Sequence, residues 1–288
     1  MFLAIRHATV YSYDKPVILE PHIIRLTPRQ DAYKRLVERS LTIIPEPDGM
    51  SVNFDLSGSL THLVCFKRST MALTILSRVT LELNEANPFD FIVYPLICLN
   101  LPMQYPAELM GRLRPFMSSE GIPPKVEEFA KETMIEAKNN VMDFCSILCE
   151  RLQKQFTYEP RKTGAPYAPE QVLSYRRGSC RDLAVLYMAA ARAVGLAARF
   201  VSGYYFDQSP KHPQLHAWSE VYIPGGGWRG YDPTLGLACY GHHIALAAGA
   251  SPSQTAVVEG SFLGQPESQM EANIEYEYLK QFSRAVEF

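Results

Sequence analysis

The sequence predicts an α+β protein in which a small antiparallel β-sandwich or barrel precedes a core of helices and strands. Three observations lead to this class. Short β-like runs separated by turn residues occupy the first 85 residues or so, helical periodicity follows between residues 107 and 155, and a strand hairpin follows residue 214. At 288 residues, with 47% hydrophobic and 20% charged residues, the chain can bury a sizeable core and form two domains.

Residues 1–86 are predicted to form the β-rich N-terminal domain. Turn signals such as Pro45-Glu46-Pro47-Asp48-Gly49 separate apolar or alternating runs, which is typical of a small antiparallel sandwich or barrel. The predicted strands are 3–13, 17–26, 39–44, 51–56, 59–66 and 73–83.

Residues 87–106 are predicted to be a connection, and residues 107–288 the core. Prolines at 88, 95, 102 and 106 favour an extended segment with apolar anchors. The predicted helices are 107–117, 125–138 and 141–155, and a loop over 158–169 leads toward the next helix.

Cys180 opens an apolar helical stretch. Ser179 followed three residues later by Asp182 resembles a capping box, and Gly178 allows a close approach of the chain to the helix start. A helix N-terminus favours a thiolate, and its backbone N–H groups are suited to hold an oxyanion. The pattern predicts Cys180 as a nucleophile on the first turn of a buried helix.

His216 lies in a strand predicted from residue 214 to residue 223, and Asp232 ends a second strand after a glycine-rich turn. If Tyr222 pairs with Trp228 in this hairpin, His216 lies diagonal to the Asp232 carboxylate and within side-chain reach. Asp232 would then orient the imidazole and stabilise its cation, leaving the other ring nitrogen to face Cys180. A register different by one residue would change this arrangement.

Each of these residues also has a structural interpretation. A single cysteine in an apolar helix is commonly a small packed residue, a strand histidine is commonly hydrogen-bonded for structural reasons, and an Asp before Pro233 is common at a turn. Trp218 and Trp228 either wall a cleft or pack. Likewise, Arg176, Arg177 and Arg181 either bind an acidic substrate, lower the pKa of the thiol, or form a solvated helix start.

Three segments together resemble bacterial transglutaminase-like proteins. These are the Arg177-Gly178-Ser179-Cys180-Arg181-Asp182 run with its following helix, the His216–Tyr222 strand and the Trp228–Thr234 strand. Tyr11-Ser12-Tyr13 and residues 25–29 extend the resemblance to the strand-rich N-terminal segment that many bacterial members carry. The resemblance implies a papain-like, transglutaminase-like core with Cys180 as nucleophile, His216 as acid/base and Asp232 as its orienting partner.

Composition excludes several function classes. A net charge of −2 argues against a nucleic-acid partner, and no segment has the length and apolarity of a membrane span. Six dispersed cysteines favour reduced thiols and a cytoplasmic location over a disulfide framework. Cys145 and Cys149, within a predicted amphipathic helix, are expected to be core positions. Two groups of residues could suggest a metal site: Cys239 with His242 and His243, and His212 with His216. Neither group has the repeated paired ligands of a structural zinc site, so we expect neither metal nor cofactor.

The sequence therefore predicts thiol-dependent acyl chemistry on a peptide or amide bond. An acyl-thioester on Cys180 released by water gives a protease or amidase, and release by an amine gives a transglutaminase. Hydrolysis is the favoured interpretation, with a peptide or protein as substrate. The alternative is a binding or assembly module on the same fold. The oligomeric state is not predicted.

Overall fold

The N-terminal part of the fold is built from antiparallel strands, as predicted. The computed structural model describes residues 1–85, 87–161, 163–206 and 215–281. The first six strands are β1 (Phe2–Leu19), β2 (His22–Ile24), β3 (Lys34–Ile44), β4 (Gly49–Phe54), β5 (Leu60–Cys65) and β6 (Ser69–Leu83).

These strands belong to two sheets around one core. β1 and β3 flank β6, while β2 and β4 flank β5. Inward-facing side chains of both sheets, such as Ile5, Val64 and Ile75, lie in a single apolar cluster. The predicted strand 17–26 is divided, because β1 continues through a register shift between Ser12 and Val17 and β2 is a separate short strand.

Five α-helices follow among the described residues, and the last, α5 (Cys180–Ala193), is the central one. α5 is apolar nearly all round and packs against α2, α3 and α4 on one side and a sheet on the other. The first three begin and end close to the predicted positions, whereas α4 was not predicted. The helices are α1 (Ala107–Leu113), α2 (Pro124–Glu136), α3 (Val141–Gln155), α4 (Pro169–Tyr175) and α5 (Cys180–Ala193).

The central sheet is antiparallel throughout, in the order β12-β11-β10-β9-β13. Tyr222 lies opposite Trp228 in the β10–β11 hairpin, which confirms the predicted register. Two further short strands, β7 and β8, form a parallel pair beside the start of α5. These strands are β7 (Thr157–Tyr158), β8 (Arg177–Gly178), β9 (Ala198–Tyr205), β10 (Leu215–Ile223), β11 (Gly227–Asp232), β12 (Leu237–Ala238) and β13 (His243–Gly249).

The end of the chain returns to the N-terminal sheets. It adds β14 (Val258–Glu259) to β2, β15 (Phe262–Leu263) to β1, and β16 (Ser268–Leu279) along β1. The sequence placed all of 107–288 in the core. In the structure, strands within residues 258–279 pair with strands of the N-terminal sheets.

The N-terminal core extends onto the central sheet. Tyr204 on β9 and Ile244 on β13 lie in the same apolar cluster as the β1 and β6 side chains. His7 on β1 adds a polar contact, since its Nδ1 lies 2.7 Å from the Tyr204 hydroxyl. In the part of the chain that the structure describes, no helix has the length and apolarity needed to cross a membrane.

Candidate active site

Cys180 is the first residue of α5 and is 8% exposed. The Asp182 carboxylate accepts hydrogen bonds from the Ser179 backbone N–H and hydroxyl, each at 2.7 Å. The bond from the Ser179 N–H is the one by which a capping box ties the third helical residue to the N-cap. A Cβ at Gly178 would lie 2.7 Å from the Asp182 Cβ, closer than side chains tolerate. The close approach attributed to Gly178 is therefore present, and it fixes the turn that leads into the thiol.

Asp182 also ties a neighbouring loop to this helix start. The Arg161 guanidinium donates to both carboxylate oxygens, at 2.6 and 3.2 Å, and the Tyr167 N–H donates at 2.7 Å. Burial raises the pKa of Asp182, but the hydrogen bonds from Arg161 and Ser179 outweigh it and lower that pKa below its usual value. Asp182 is thus a buried anion with several donors.

The arginines near the thiol have intramolecular partners. Arg181 donates to the carbonyls of Gly164 and Arg161, at 2.8 and 2.9 Å. Arg176 lies over the Phe156 ring, and Arg177 pairs with Glu159 at 3.5 Å on the surface. These contacts favour the interpretation of a solvated, internally paired helix start.

His216 on β10 and Asp232 at the end of β11 form a short hydrogen bond, with 2.6 Å between His216 Nε2 and Asp232 Oδ2. The Thr234 N–H donates to the other carboxylate oxygen at 2.9 Å, so the turn after β11 fixes the carboxylate plane. Asp232 is fully buried. Since Nε2 faces Asp232, Nδ1 is the ring nitrogen left for the thiol.

The charges of the pair stabilise each other. Burial lowers the pKa of His216, but the charge and hydrogen bond of Asp232, together with a hydrogen bond to Cys180, raise it to about 10. Burial raises the pKa of Asp232, yet the charge of His216 and the hydrogen bonds from His216 and His243 hold it well below its usual range. A carboxylate beside an imidazolium is the favoured state at neutral pH.

The structure therefore brings together all three residues that the sequence singled out. The imidazole of His216 is shared between the Cys180 thiol and the Asp232 carboxylate. The thiol stands at a helix N-terminus, whose partial positive charge favours negative charge nearby. This arrangement suits proton exchange between sulfur and imidazole.

His243 is a fourth residue of this site, and the sequence did not indicate it. Its Nε2 lies 3.0 Å from Asp232 Oδ2, the same oxygen that His216 contacts. The sequence pattern indicated His243 only as part of a candidate metal site with Cys239 and His242. His242 turns elsewhere, with its Nδ1 3.1 Å from the Tyr278 hydroxyl. His212 and Gln214 lie outside the described residues.

Burial raises the thiol pKa of several other cysteines, which makes them poor nucleophiles. Cys145 and Cys149 are fully buried on α3, which confirms the prediction of core positions. Burial raises the pKa of the Cys145 thiol to about 12 and raises that of Cys149 well above its usual value. Burial also raises the pKa of Cys239. Cys65 is exposed on β5.

Both tryptophans pack near the site. Trp218 is 2% exposed and contacts the His243 ring edge to face, with 5.3 Å between ring centroids. Trp228 packs edge to face against Phe116 and Tyr222. The tryptophans also line a cavity of about 100 Å³ on the His243 side of Asp232, so packing and cavity wall are combined.

Two family models match this chain. Residues 127–233 match the transglutaminase-like superfamily core, and residues 3–82 match the bacterial transglutaminase-like N-terminal region. Family models thus match both parts of the chain that resemble bacterial transglutaminase-like proteins. The matched core includes Cys180, His216 and Asp232, and similarity to this superfamily supports thiol-dependent acyl chemistry as the general class of activity.

Relatives and a solved structure match different shares of this chain. Uncharacterized protein Rv2569c of Mycobacterium tuberculosis is 29% identical over 246 residues, which cover 80% of this chain and 77% of that protein. The protein-glutamine gamma-glutamyltransferase of Pseudomonas aeruginosa is 33% identical over 91 residues, 29% of this chain and 14% of that protein. A solved structure, "a Putative Cysteine Protease from Cytophaga hutchinsonii", has the same fold at 20% identity, with a TM-score of 0.73 and coverage of 100% of this chain and 94% of that one.

Proposed function

We propose that this protein hydrolyses a peptide or amide bond by thiol-dependent acyl chemistry. Cys180 is the nucleophile, His216 the acid/base and Asp232 the residue that orients the imidazole. The observation that carries the proposal is the placement of the His216 imidazole, whose Nε2 lies 2.6 Å from Asp232 Oδ2 and whose pKa, despite burial, is raised by both the Asp232 carboxylate and the Cys180 thiol.

The first half-reaction forms a thioester. The thiolate of Cys180 attacks the carbonyl carbon of the substrate, and a C–S bond forms as the carbonyl oxygen takes up the electron pair. The C–N bond then breaks, and the His216 imidazolium gives its proton to the leaving amine. Asp232 holds the ring and stabilises its charged form throughout.

Backbone amides at the start of α5 support the developing oxyanion in this proposal. The first four N–H groups of a helix lack intrahelical acceptors, and their dipoles favour negative charge at that end. The Cys180 N–H belongs to this set by its position. A tetrahedral intermediate on the Cys180 sulfur places its oxygen within reach of such donors.

The second half-reaction consumes the thioester. Neutral His216 takes a proton from water as the water oxygen attacks the acyl carbon, the C–S bond breaks, and the proton returns to the thiolate. Water is abundant and needs no dedicated site, whereas amine transfer needs a groove that binds the amine and excludes water. That contrast favours hydrolysis.

Amine transfer is the second candidate. The segment of 91 residues shared with the Pseudomonas protein-glutamine gamma-glutamyltransferase favours it. In that reaction a primary amine replaces water, and the product is a new amide.

Peptide mass spectrometry separates the two outcomes. A library of glutamine-containing peptides is incubated with the parent protein, with and without methylamine, and in parallel with C180A and H216A. Hydrolysis predicts cleaved or deamidated peptides independent of methylamine, and transfer predicts methylamide products. We expect H216A to lower turnover by roughly 10²–10⁴-fold. Turnover by C180A equal to that of the parent would overturn the nucleophile assignment.

Selective alkylation tests the thiol without a substrate. Iodoacetamide is expected to label Cys180 rapidly in the parent and slowly in H216A, while exposed Cys65 reacts equally in both and serves as the internal reference. Six free cysteines fit a reducing compartment, so the proposal includes a cytoplasmic location, and its substrate is a peptide or protein. Full biological activity of C180A would instead favour a binding or assembly module on this fold.

A further inference from the structure

His243 opens β13 and is 2% exposed, beside the carboxylate that orients His216. Its Nε2 lies 3.0 Å from Asp232 Oδ2. The ring is held by Tyr205, at 4.8 Å between centroids, and by the edge of Trp218 at 5.3 Å. Packing on both sides leaves the imidazole little freedom to rotate away from Asp232.

The proton on this ring can be assigned by hydrogen-bond accounting. An ionised carboxylate only accepts, so the ring nitrogen that faces Asp232 must carry the hydrogen. Burial lowers the pKa of His243, and the hydrogen bond and charge of Asp232 offset this only in part, so the ring is neutral at neutral pH. A neutral ring protonated at Nε2 leaves Nδ1 as an acceptor. Among the described residues Nδ1 has no hydrogen-bond partner.

We propose that His243 is a positioning residue of the active site. Its Nε2–H holds Asp232 Oδ2 in place against His216 and draws part of the carboxylate's negative charge away from that imidazole. Asp232 is thereby fixed by the two imidazoles on Oδ2 and by the Thr234 and Leu235 backbone N–H groups on Oδ1. The proposal rests on the function proposed above, because it acts through the same imidazole.

Charged and titratable groups surround His243 on several elements. Asp232 and His216 contact it or its partner directly, and a cavity of about 100 Å³ lies against the ring. The others that pack on the ring or line this cavity are Tyr205 on β9, Glu220 on β10, Arg229 and Tyr231 on β11, Lys34 on β3, Asp31 and Tyr33 before it, and Cys239 and Tyr240 before β13.

A pH titration of His216 tests the proposal directly. ¹⁵N-histidine NMR of the full-length protein follows His216 in the parent, H243F and H243Q, with Cys180 alkylation measured on the same samples. Phe keeps a ring against Tyr205 and Trp218 but donates nothing, whereas the Gln amide can donate from nearly the same place. A carboxylate with one donor fewer is a stronger base, so H243F is expected to raise the pKa of His216. Because Asp232 is then held less firmly against the His216 ring, Cys180 alkylation is expected to slow by roughly 10-fold.

The rescue decides between positioning and packing. H243Q should return both readouts toward the parent, and the neighbouring H242Q, whose parent side chain contacts Tyr278, should leave them unchanged. Parent values in H243F would overturn the proposal. Equal losses in H243F and H243Q, with His216 titrating as in the parent, would also overturn it and leave His243 a packing residue. If the parent itself shows no His216-dependent alkylation, the proposed function fails instead.

Discussion

At the scale of single residues, Asp232 decides the charge of His216. Burial alone lowers the pKa of that imidazole, and the carboxylate reverses the direction and raises it to about 10. The reversal is possible because Asp232 is itself buried and fully hydrogen-bonded, so its charge acts through a medium with little water. The proposed role of His216 as the acid that protonates a leaving amine therefore depends on one oxygen of Asp232.

Replacement of that carboxylate should reverse the titration. In D232N the opposing charge is absent and burial dominates, so we expect the pKa of His216 to fall from about 10 to below its ordinary value of 6.5. The Asn carbonyl can still accept the Thr234 N–H, which preserves the turn. ¹⁵N-histidine NMR between pH 5 and 11 measures the change. A D232N titration still centred near pH 10 would mean that Asp232 does not control this ring.

The candidate site has four residues, and the sequence could predict three of them. Cys180 followed a capping pattern, and His216 and Asp232 lay in a hairpin whose glycine-rich turn restricted the register. His243 had no such local signal. Its place beside Asp232 depends on the pairing of β13 with β9, which joins segments about forty residues apart and shifts register between Ala245 and Ala247.

At the scale of elements, the start of α5 depends on the Arg161–Asp182 ion pair. Asp182 is fully buried, so removal of the guanidinium leaves a charge with fewer donors in a dry place. R161M is expected to lower the free energy of unfolding by about 1.5–3 kcal/mol, since Asp182 keeps its bonds to Ser179 and Tyr167. Urea unfolding followed by circular dichroism measures this loss.

A matched control lies close by. Arg177 pairs with Glu159 on the surface, with both side chains more than half exposed, so R177M should change the unfolding free energy by only about 0–1 kcal/mol. Equal effects of the two substitutions would contradict the role given to the buried pair. Cys180 alkylation should also slow in R161M alone, because the first turn of α5 carries the thiol.

Local patterns predicted the long helices α2 and α3 but did not predict the short helix α4. α2 and α3 present regular apolar faces over more than three turns, and Asn140 caps α3. α4 has seven residues and follows a proline-rich loop. It is stabilised by contacts with α2 and α5 rather than by its own periodicity.

At the scale of the whole molecule, the two ends of the chain share a sheet. β16 pairs with β1 from Phe2 opposite Leu279 to Tyr13 opposite Ser268. Such pairing joins segments about 260 residues apart and has no trace in local periodicity, so the sequence pattern could not predict it. The N-terminal core in turn covers Tyr204 and Ile244 of the central sheet. We therefore expect the N-terminal sheets and the core to stabilise one another.

His7 makes this mutual support sensitive to acid. It lies on β1, is 1% exposed, and places Nδ1 2.7 Å from the Tyr204 hydroxyl on β9 and Nε2 3.1 Å from the Thr9 hydroxyl. Burial lowers the pKa of His7 to about 4, against an ordinary value of 6.5. The unfolded chain binds this proton more readily, so the stability is complete above about pH 6.5 and falls as the pH drops toward 4.

The expected loss is about 1.4 kcal/mol for each pH unit in that interval, or about 3 kcal/mol in all. H7Q retains a neutral side chain able to donate to Tyr204 and accept from Thr9, but it has no group that titrates here. Urea unfolding at pH 7, 6 and 5 should show the difference between parent and H7Q shrinking or reversing with acid, because the other titrating groups, including buried His62, are common to both. A constant difference across these pH values would mean that His7 is protonated without cost in the folded protein, and the junction between β1 and β9 would not be the acid-sensitive contact.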